Sequence, residues 1–260
     1  MSADRSPANR LGDPVTTETL LVTELADRVV VTLDRPERRN AIDQRMVDDL
    51  HAVCERLERE PRLLILAGSE GVFASGADIA ELRERTAADA RRSINASVFT
   101  RIAELPMPVI AALDGYALGG GAELAYAADF RIGTPRLRIG NPETSLGIIA
   151  AAGALWRLPR LVGHPLAAEM TMAGRVLTGE EALAAGLVSD LFAPDELLAG
   201  AHALADRIAA NDPLATQYTK RVLRAPLAEH PAAEQEAQAV LFESEEKHRR
   251  MTAFLERRKR

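Results

Sequence analysis

The sequence predicts an α/β fold that gives way to a helical C-terminal region. Three observations carry this expectation. Short apolar runs of strand length recur at Val29–Leu33, Leu63–Ala67 and Val109–Leu113. The second and third each lead through a turn of small residues into a helix-forming segment. Beyond about residue 160 strand patterns nearly vanish and amphipathic helical spacing takes over. Periodicity alone does not choose between a doubly wound parallel sheet and a coiled arrangement.

The elements follow in chain order. Residues 1–18 are polar and hold Pro7, Gly12 and Pro14, so a frayed tail is expected there. Leu20–Thr23 and Val29–Leu33 read as a strand pair around Ala26-Asp27. Asp43 is the expected N-cap of a helix whose apolar face is Met46, Leu50, Val53, Cys54 and Leu57. Leu63–Ala67 is the next strand. Val109–Leu113 follows Pro106 and Pro108, and Phe130–Gly133 and Leu137–Ile139 are short strands. Thr178-Gly-Glu-Glu181 has the form of a capping box for a short helix ending near Gly186. Pro194–Ala209 is amphipathic, and further helices are expected over 214–224 and 232–257.

Composition narrows the function classes. The chain has 260 residues, 47% of them apolar, and a net charge of −6, which gives no support for a nucleic-acid partner. Cys54 is the only cysteine, so no intrachain disulfide can form, and its place on an apolar helix face predicts a buried structural thiol. The five histidines show no ligand clustering, so no metal is expected. Residues 1–14 lack the apolar core of a secretory signal, and no run approaches a membrane span. A cytoplasmic protein with no membrane partner is expected.

Three segments carry chemistry. Tyr116-Ala-Leu-Gly-Gly-Gly-Ala-Glu123 strips side chains from the backbone where a helix begins. Glycine allows close approach to peptide N–H groups, and a helix start presents unpaired donors and the positive end of its dipole. Phe73-Ala-Ser-Gly-Ala-Asp-Ile-Ala-Glu-Leu82 brings equally bare backbone to the end of another strand. Two such sites can each lend one N–H to the same oxygen, which is the arrangement of an oxyanion hole. Leu137-Arg-Ile-Gly-Asn-Pro-Glu143 then sets a second acid on a turn constrained by Pro142. Beside Glu123, Glu143 looks like half of an acid/base pair.

In these segments the chain resembles the crotonase superfamily of enoyl-CoA hydratases and isomerases. The likeness includes Arg35-Pro36 with Asn40-Ala41, Gly76-Ala-Asp-Ile79, Asp114 through Glu123, and Asn141-Pro-Glu143 with Leu146-Gly147. Thr171 to Gly174 and Ala184-Ala-Gly-Leu-Val188 extend it, so that it covers roughly residues 20–258. The resemblance implies a ββα superhelix, with a spiral core over 19–195 and a helical oligomerisation region over 196–260. It implies a homotrimer or homohexamer acting on an acyl-CoA thioester. Coenzyme A is then part of the substrate, and no separate cofactor is implied.

By the same resemblance, the backbone N–H groups of Ala77 and Gly120 form the oxyanion hole. Glu123 helps to activate water and Glu143 supplies the proton at C2. Ala41, Ala77, Asp78, Ile79, Ala80 and Gly120 match the family's substrate- and CoA-binding positions, and Arg38 and Arg39 are candidates for the phosphates. Both glutamates occupy hydratase positions, which favours hydration. A Δ3,Δ2-enoyl-CoA isomerase is the alternative, and a non-catalytic acyl-CoA-binding or RNA-binding relative is the alternative of another class.

The chain also departs from the family. The usual Pro-Gly-x-Gly-Gly run reads Ala150-Ala-Ala-Gly-Ala154, which bears on pocket width. Trp156 replaces what is often a polar residue and reads as a buried anchor, with a place in the pocket lining as the alternative. Many relatives run on beyond the position of Arg260 with residues that touch adenine from a neighbouring subunit, so CoA affinity is expected to rest on other groups. The segment Arg83–Ala103, with Arg91, Arg92, Ser93 and Asn95, is unusually polar. It reads either as an exposed helix face or as a wall that admits a polar acyl group.

Overall fold

In the computed structural model, residues 14–257 are described. Nine strands occupy Pro14–Thr16 (β1), Leu20–Glu24 (β2), Arg28–Leu33 (β3), Leu63–Gly68 (β4), Val109–Leu113 (β5), Tyr116–Leu118 (β6), Phe130–Gly133 (β7), Arg138–Gly140 (β8) and Val176–Thr178 (β9). The first helices are Gln44–Arg59 (α1), Ile79–Glu84 (α2), Ala87–Arg92 (α3), Ile94–Glu104 (α4) and Gly120–Ala127 (α5). The later ones are Ala154–Val162 (α6), His164–Met172 (α7), Gly179–Ala184 (α8), Leu197–Ala209 (α9), Pro213–Arg224 (α10), Ala232–Phe242 (α11) and Glu245–Arg257 (α12).

A six-stranded sheet has the order β1-β2-β3-β4-β5-β7, antiparallel through β3 and parallel thereafter. A smaller sheet has the order β6-β8-β9. The chain alternates between the two, from β5 to β6 and from β7 to β8. Parallel bridges between Ile42 and Ala77 and between Ala74 and Ala117 continue the smaller layer through the earlier circuits. Each circuit is therefore a strand of the large sheet, a pairing in the small one, then a helix. This is the ββα superhelix, and it excludes the doubly wound alternative.

The period-2 pattern of the strands explains why the large sheet is covered on both faces. Val29, Val31, Leu33, Leu64, Leu66, Val109, Ala111 and Leu113 face the main core with α1, α4 and α5. Val30, Leu63, Ile65, Ile110, Ala112 and Ile132 face α9 through Leu197, Ala201, Ala205 and Ile208. Each fully buried aliphatic side chain of this kind contributes roughly 1.5–3 kcal/mol. Cys54 is fully buried, and burial pushes its thiol up to about 12, as suits a structural residue. Asp43 caps α1 through the Met46 N–H, and Thr178 closes a reciprocal capping box with Glu181.

Several expectations need correction. The tail expected over 1–18 lies outside the described residues as far as residue 13. Its remainder includes β1, because Val15 pairs with Val22 at the sheet edge. The helix expected over 232–257 is two helices, since the Ser244 hydroxyl accepts from the Lys247 N–H and so starts α12 afresh. Trp156 is 50% exposed rather than a buried anchor, because Ala154, Arg157 and Leu158 form the buried face of α6. Its ring lies against Arg157 at 4.0 Å. Among the described residues no helix is long and apolar enough to cross a membrane.

Candidate active site

Helix α5 is buried along its whole length. It begins at Gly119, whose φ of 51° is a left-handed value that favours glycine. A β-carbon on Gly121 would stand 2.3 Å from the Ala74 carbonyl oxygen, so only glycine lets α5 pack on that strand segment. Gly120 is the first helical residue, and its N–H has no place in the helix's own bonding.

The second donor comes from the bridge at Ala77. Ile42 N–H donates to the Gly76 carbonyl and Asp78 N–H donates to the Ile42 carbonyl. The intervening Ala77 N–H therefore faces away from Ile42. It faces Gly120: a β-carbon there would lie 3.4 Å from the Ala77 nitrogen. Two backbone donors without a partner among the described residues thus stand side by side at the wall of a cavity of about 620 Å³.

Glu123 lies in the first turn of α5 and is only 3% exposed. Its Oε1 accepts from the N–H groups of Ala152 and Ala154 at 2.7 and 3.1 Å. Burial pushes its carboxyl up to about 7, the negative charge of Glu143 adds to the push, and the two backbone bonds and the Arg157 charge oppose it. Glu143 follows Pro142 at the start of a short 3-10 helix, Glu143–Leu146. Burial raises its carboxyl as well, against a 3.3 Å bond from Asn141 Nδ2 to Oε1. Oε2 of Glu143 is buried and has no hydrogen-bond partner among the described residues. Both carboxyls line the same cavity as Ala77 and Gly120. Both carboxyls are thus held above their ordinary range.

Supporting groups complete the geometry. Fully buried Asn141 accepts from the Tyr126 hydroxyl at 3.0 Å and donates to the Gly119 carbonyl at 3.4 Å. Glu143 is thereby oriented from a side chain on α5. Arg157 donates to the Ala152 carbonyl at 3.2 Å and so steadies the segment whose N–H groups hold Glu123. Gly153 in that segment has φ 127°, and the Arg157 guanidinium fills the place of its missing β-carbon. The one glycine retained in the Ala150–Ala154 run is the one this geometry requires.

Residues 26–260 match the enoyl-CoA hydratase/isomerase family. The chain belongs to that family. It is 36% identical over 239 residues to a short-chain-enoyl-CoA hydratase of Clostridium acetobutylicum, covering 88% of this chain and 92% of the relative. It is 35% identical over 247 residues to a 2,3-dehydroadipyl-CoA hydratase of Escherichia coli, covering 92% and 96%. The crystal structure of an enoyl-CoA hydratase from Bacillus anthracis superposes with a TM-score of 0.87 at 30% identity, covering 92% of this chain and 97% of that one. One from Thermoplasma volcanium gives 0.84 at 34% identity, covering 91% and 97%.

Within this enoyl-CoA hydratase/isomerase chain, the structure brings Ala77, Gly120, Glu123 and Glu143 to one cavity. Ile79 also lines it, largely exposed at the wall, whereas Ala41, Asp78 and Ala80 do not. The Asp78 carboxylate caps α2 by accepting from Ala80 and Glu81, and Arg35 lies between Asp43 at 3.0 Å and Asp78 at 3.9 Å. Arg38 is exposed outside the cavity. Its carbonyl accepts from Ala41 N–H at 3.1 Å and from Ser75 Oγ at 3.4 Å, which ties it to the cavity-lining segment. In the polar segment, Arg91 and Arg92 are exposed, whereas Arg85, Thr86, Asp89, Ser93 and Asn95 line the cavity.

Sequence reasoning missed Tyr126, Arg157 and the role of Asn141. Asn141 stood in a quoted motif two residues before Glu143, and that spacing was the available signal. Nothing in the sequence links Arg157 to Ala152, because the contact arises from the turn at Gly153.

Proposed function

We infer that the protein is an enoyl-CoA hydratase, adding water across the 2,3 double bond of an enoyl-CoA thioester. The observation that carries this reading is the pairing of two carboxyls, buried Glu123 and half-buried Glu143, in one cavity with two N–H donors that have no partner among the described residues. The thioester oxygen accepts from the Ala77 and Gly120 N–H groups, which polarises the double bond and holds the charge that develops on that oxygen. Water, activated with the help of Glu123, adds its oxygen to C3. Glu143, which lines the same cavity, delivers a proton to C2. The proton taken from water restores the pair, so atoms and charge balance without a further reactant. Two carboxyls and two N–H groups suffice for these steps, and we propose that no metal or redox cofactor takes part. Activity that is lost with EDTA and restored by a divalent ion would contradict this.

The coenzyme A portion leaves the cavity past Ser75 and Ile79, near Arg38 and Arg39. For the assembly we propose a trimer or a pair of trimers. The support is the apolar surface on the C-terminal helices, where Leu223, Met251, Phe254 and Leu255 are all more than half exposed. Light scattering at micromolar concentration should give about three or about six times the 28.1 kDa of one chain, and a monomer would remove this part of the reading.

The activity itself is tested by following hydration of crotonyl-CoA in parallel with migration of the double bond in a 3-enoyl-CoA. Hydration as the faster reaction supports the reading. Double-bond migration without hydration would replace it with an isomerase.

A further inference from the structure

The lining of the cavity is not uniformly apolar. Asn95, in the first turn of α4, is 8% exposed and lines the cavity. Its Oδ1 accepts from Arg85 Nη1 at 3.1 Å. A guanidinium can only donate, so Arg85 fixes which end of the amide faces it and turns Nδ2 the other way. Nδ2 lies 3.8 Å from the place a β-carbon on Gly120 would occupy, beside the Ala77 and Gly120 donors. Among the described residues nothing accepts a hydrogen bond from Nδ2. Arg85 is itself mostly buried and lines the same wall, with Glu81 3.9 Å away. Asp89 lines it too, but its carboxylate is engaged by the Thr86 N–H and hydroxyl at 2.9 and 2.7 Å.

An apolar acyl chain packed on this wall would take water from the Asn95 amide and give nothing in return. A chain bearing an oxygen would replace that water with a hydrogen bond. We propose that Asn95, held by Arg85, is a specificity-determining residue that selects enoyl-CoA thioesters whose acyl chain carries a hydrogen-bond-accepting oxygen near the double bond. The proposal rests on the hydratase reading of the cavity. Asn95 is the contact and Arg85 is the positioning residue behind it. Leu82 and Ile94, from the same stretch of chain, also line the cavity and add apolar surface.

The test compares kcat/KM for trans-2-hexenoyl-CoA, its 5-oxo derivative and the matching terminal carboxylate, on wild type, N95L, N95D and R85M. Wild type should prefer an oxygenated chain over hexenoyl by at least about tenfold, since sites built to bond an oxygen reject analogues that lack it. N95L should erase or invert that preference. N95D keeps the shape but loses the donor, and it should penalise the carboxylate more than the ketone. R85M should weaken the preference by freeing the amide to turn. If N95L and N95D both lower all three substrates by the same factor, or if wild type prefers the plain chain, the proposal is overturned. Hydration of at least one of the three substrates by wild type separates the two levels. If none is hydrated the hydratase reading itself fails and the proposal with it, whereas turnover without discrimination removes the proposal alone.

Discussion

The amide nitrogen of Ala77 lies 3.4 Å from the point that a β-carbon on Gly120 would occupy. That distance is ordinary van der Waals contact, so alanine at 120 would fold, but its methyl would stand where the proposed oxyanion hole receives the thioester oxygen. Gly120 also has no left-handed backbone angle to lose. Gly120→Ala should therefore cut kcat/KM for crotonyl-CoA by about 10²–10³-fold. Its thermal midpoint should stay close to that of wild type. A variant with normal turnover would show that the substrate oxygen is bound elsewhere.

Arg157 acts on Glu123 without touching the cavity. It bonds the Ala152 carbonyl, and its charge lowers the Glu123 carboxyl that burial raises. Arg157→Met should reduce kcat/KM by about 10–100-fold through a displaced carboxyl. It should also move the acid limb of the pH–rate profile to higher pH, and Arg157→Lys should restore part of that shift. A lower rate with an unmoved acid limb would assign Arg157 to folding alone.

The raised carboxyl of Glu123 has a consequence for stability. Its folded value is about 7 against an ordinary 4.5, so between these values the folded protein keeps a proton that the unfolded chain releases. The stability from this group is full below the unfolded value and is lost as pH rises through 7. Glu123→Gln removes the titration and retains an acceptor for the Ala152 and Ala154 N–H groups. Its stability relative to wild type should rise between about pH 4 and about pH 8 by up to ~3 kcal/mol. Urea unfolding at the two pH values measures the difference, and a gap that stays constant would contradict the burial argument.

Much of this site was legible because its chemistry is carried by backbone. Gly119, Gly120 and Gly121 mark a place where side chains are excluded, and the apolar runs of β4 and β5 place such segments at strand ends. The coiled fold was not legible from periodicity, since it is set by pairings as small as Ile42 with Ala77, which leave no pattern in sequence. Helices α6 and α7 were missed for a local reason. Pro159 lies inside the first of them and Gly163 separates the two, so composition reads as a break. Trp156 was read as an anchor because a large aromatic residue suggests burial, whereas here its half-exposed ring lies against buried Arg157 and near exposed Arg160. Asn95 was visible only as polarity, and Arg85 ten residues earlier gives it direction.

The central claim is that Glu123 and Glu143 act together on one water. The most direct measurement is the hydration rate of crotonyl-CoA by wild type, by Glu123→Gln, by Glu143→Gln and by the double variant, each with its fold verified. Each single change should lower kcat by about 10²–10⁴-fold. The double change should cost less than the product of the two, because the pair works as a unit. Near-normal kcat in both single variants, beside an active wild type, would contradict the two-carboxylate account.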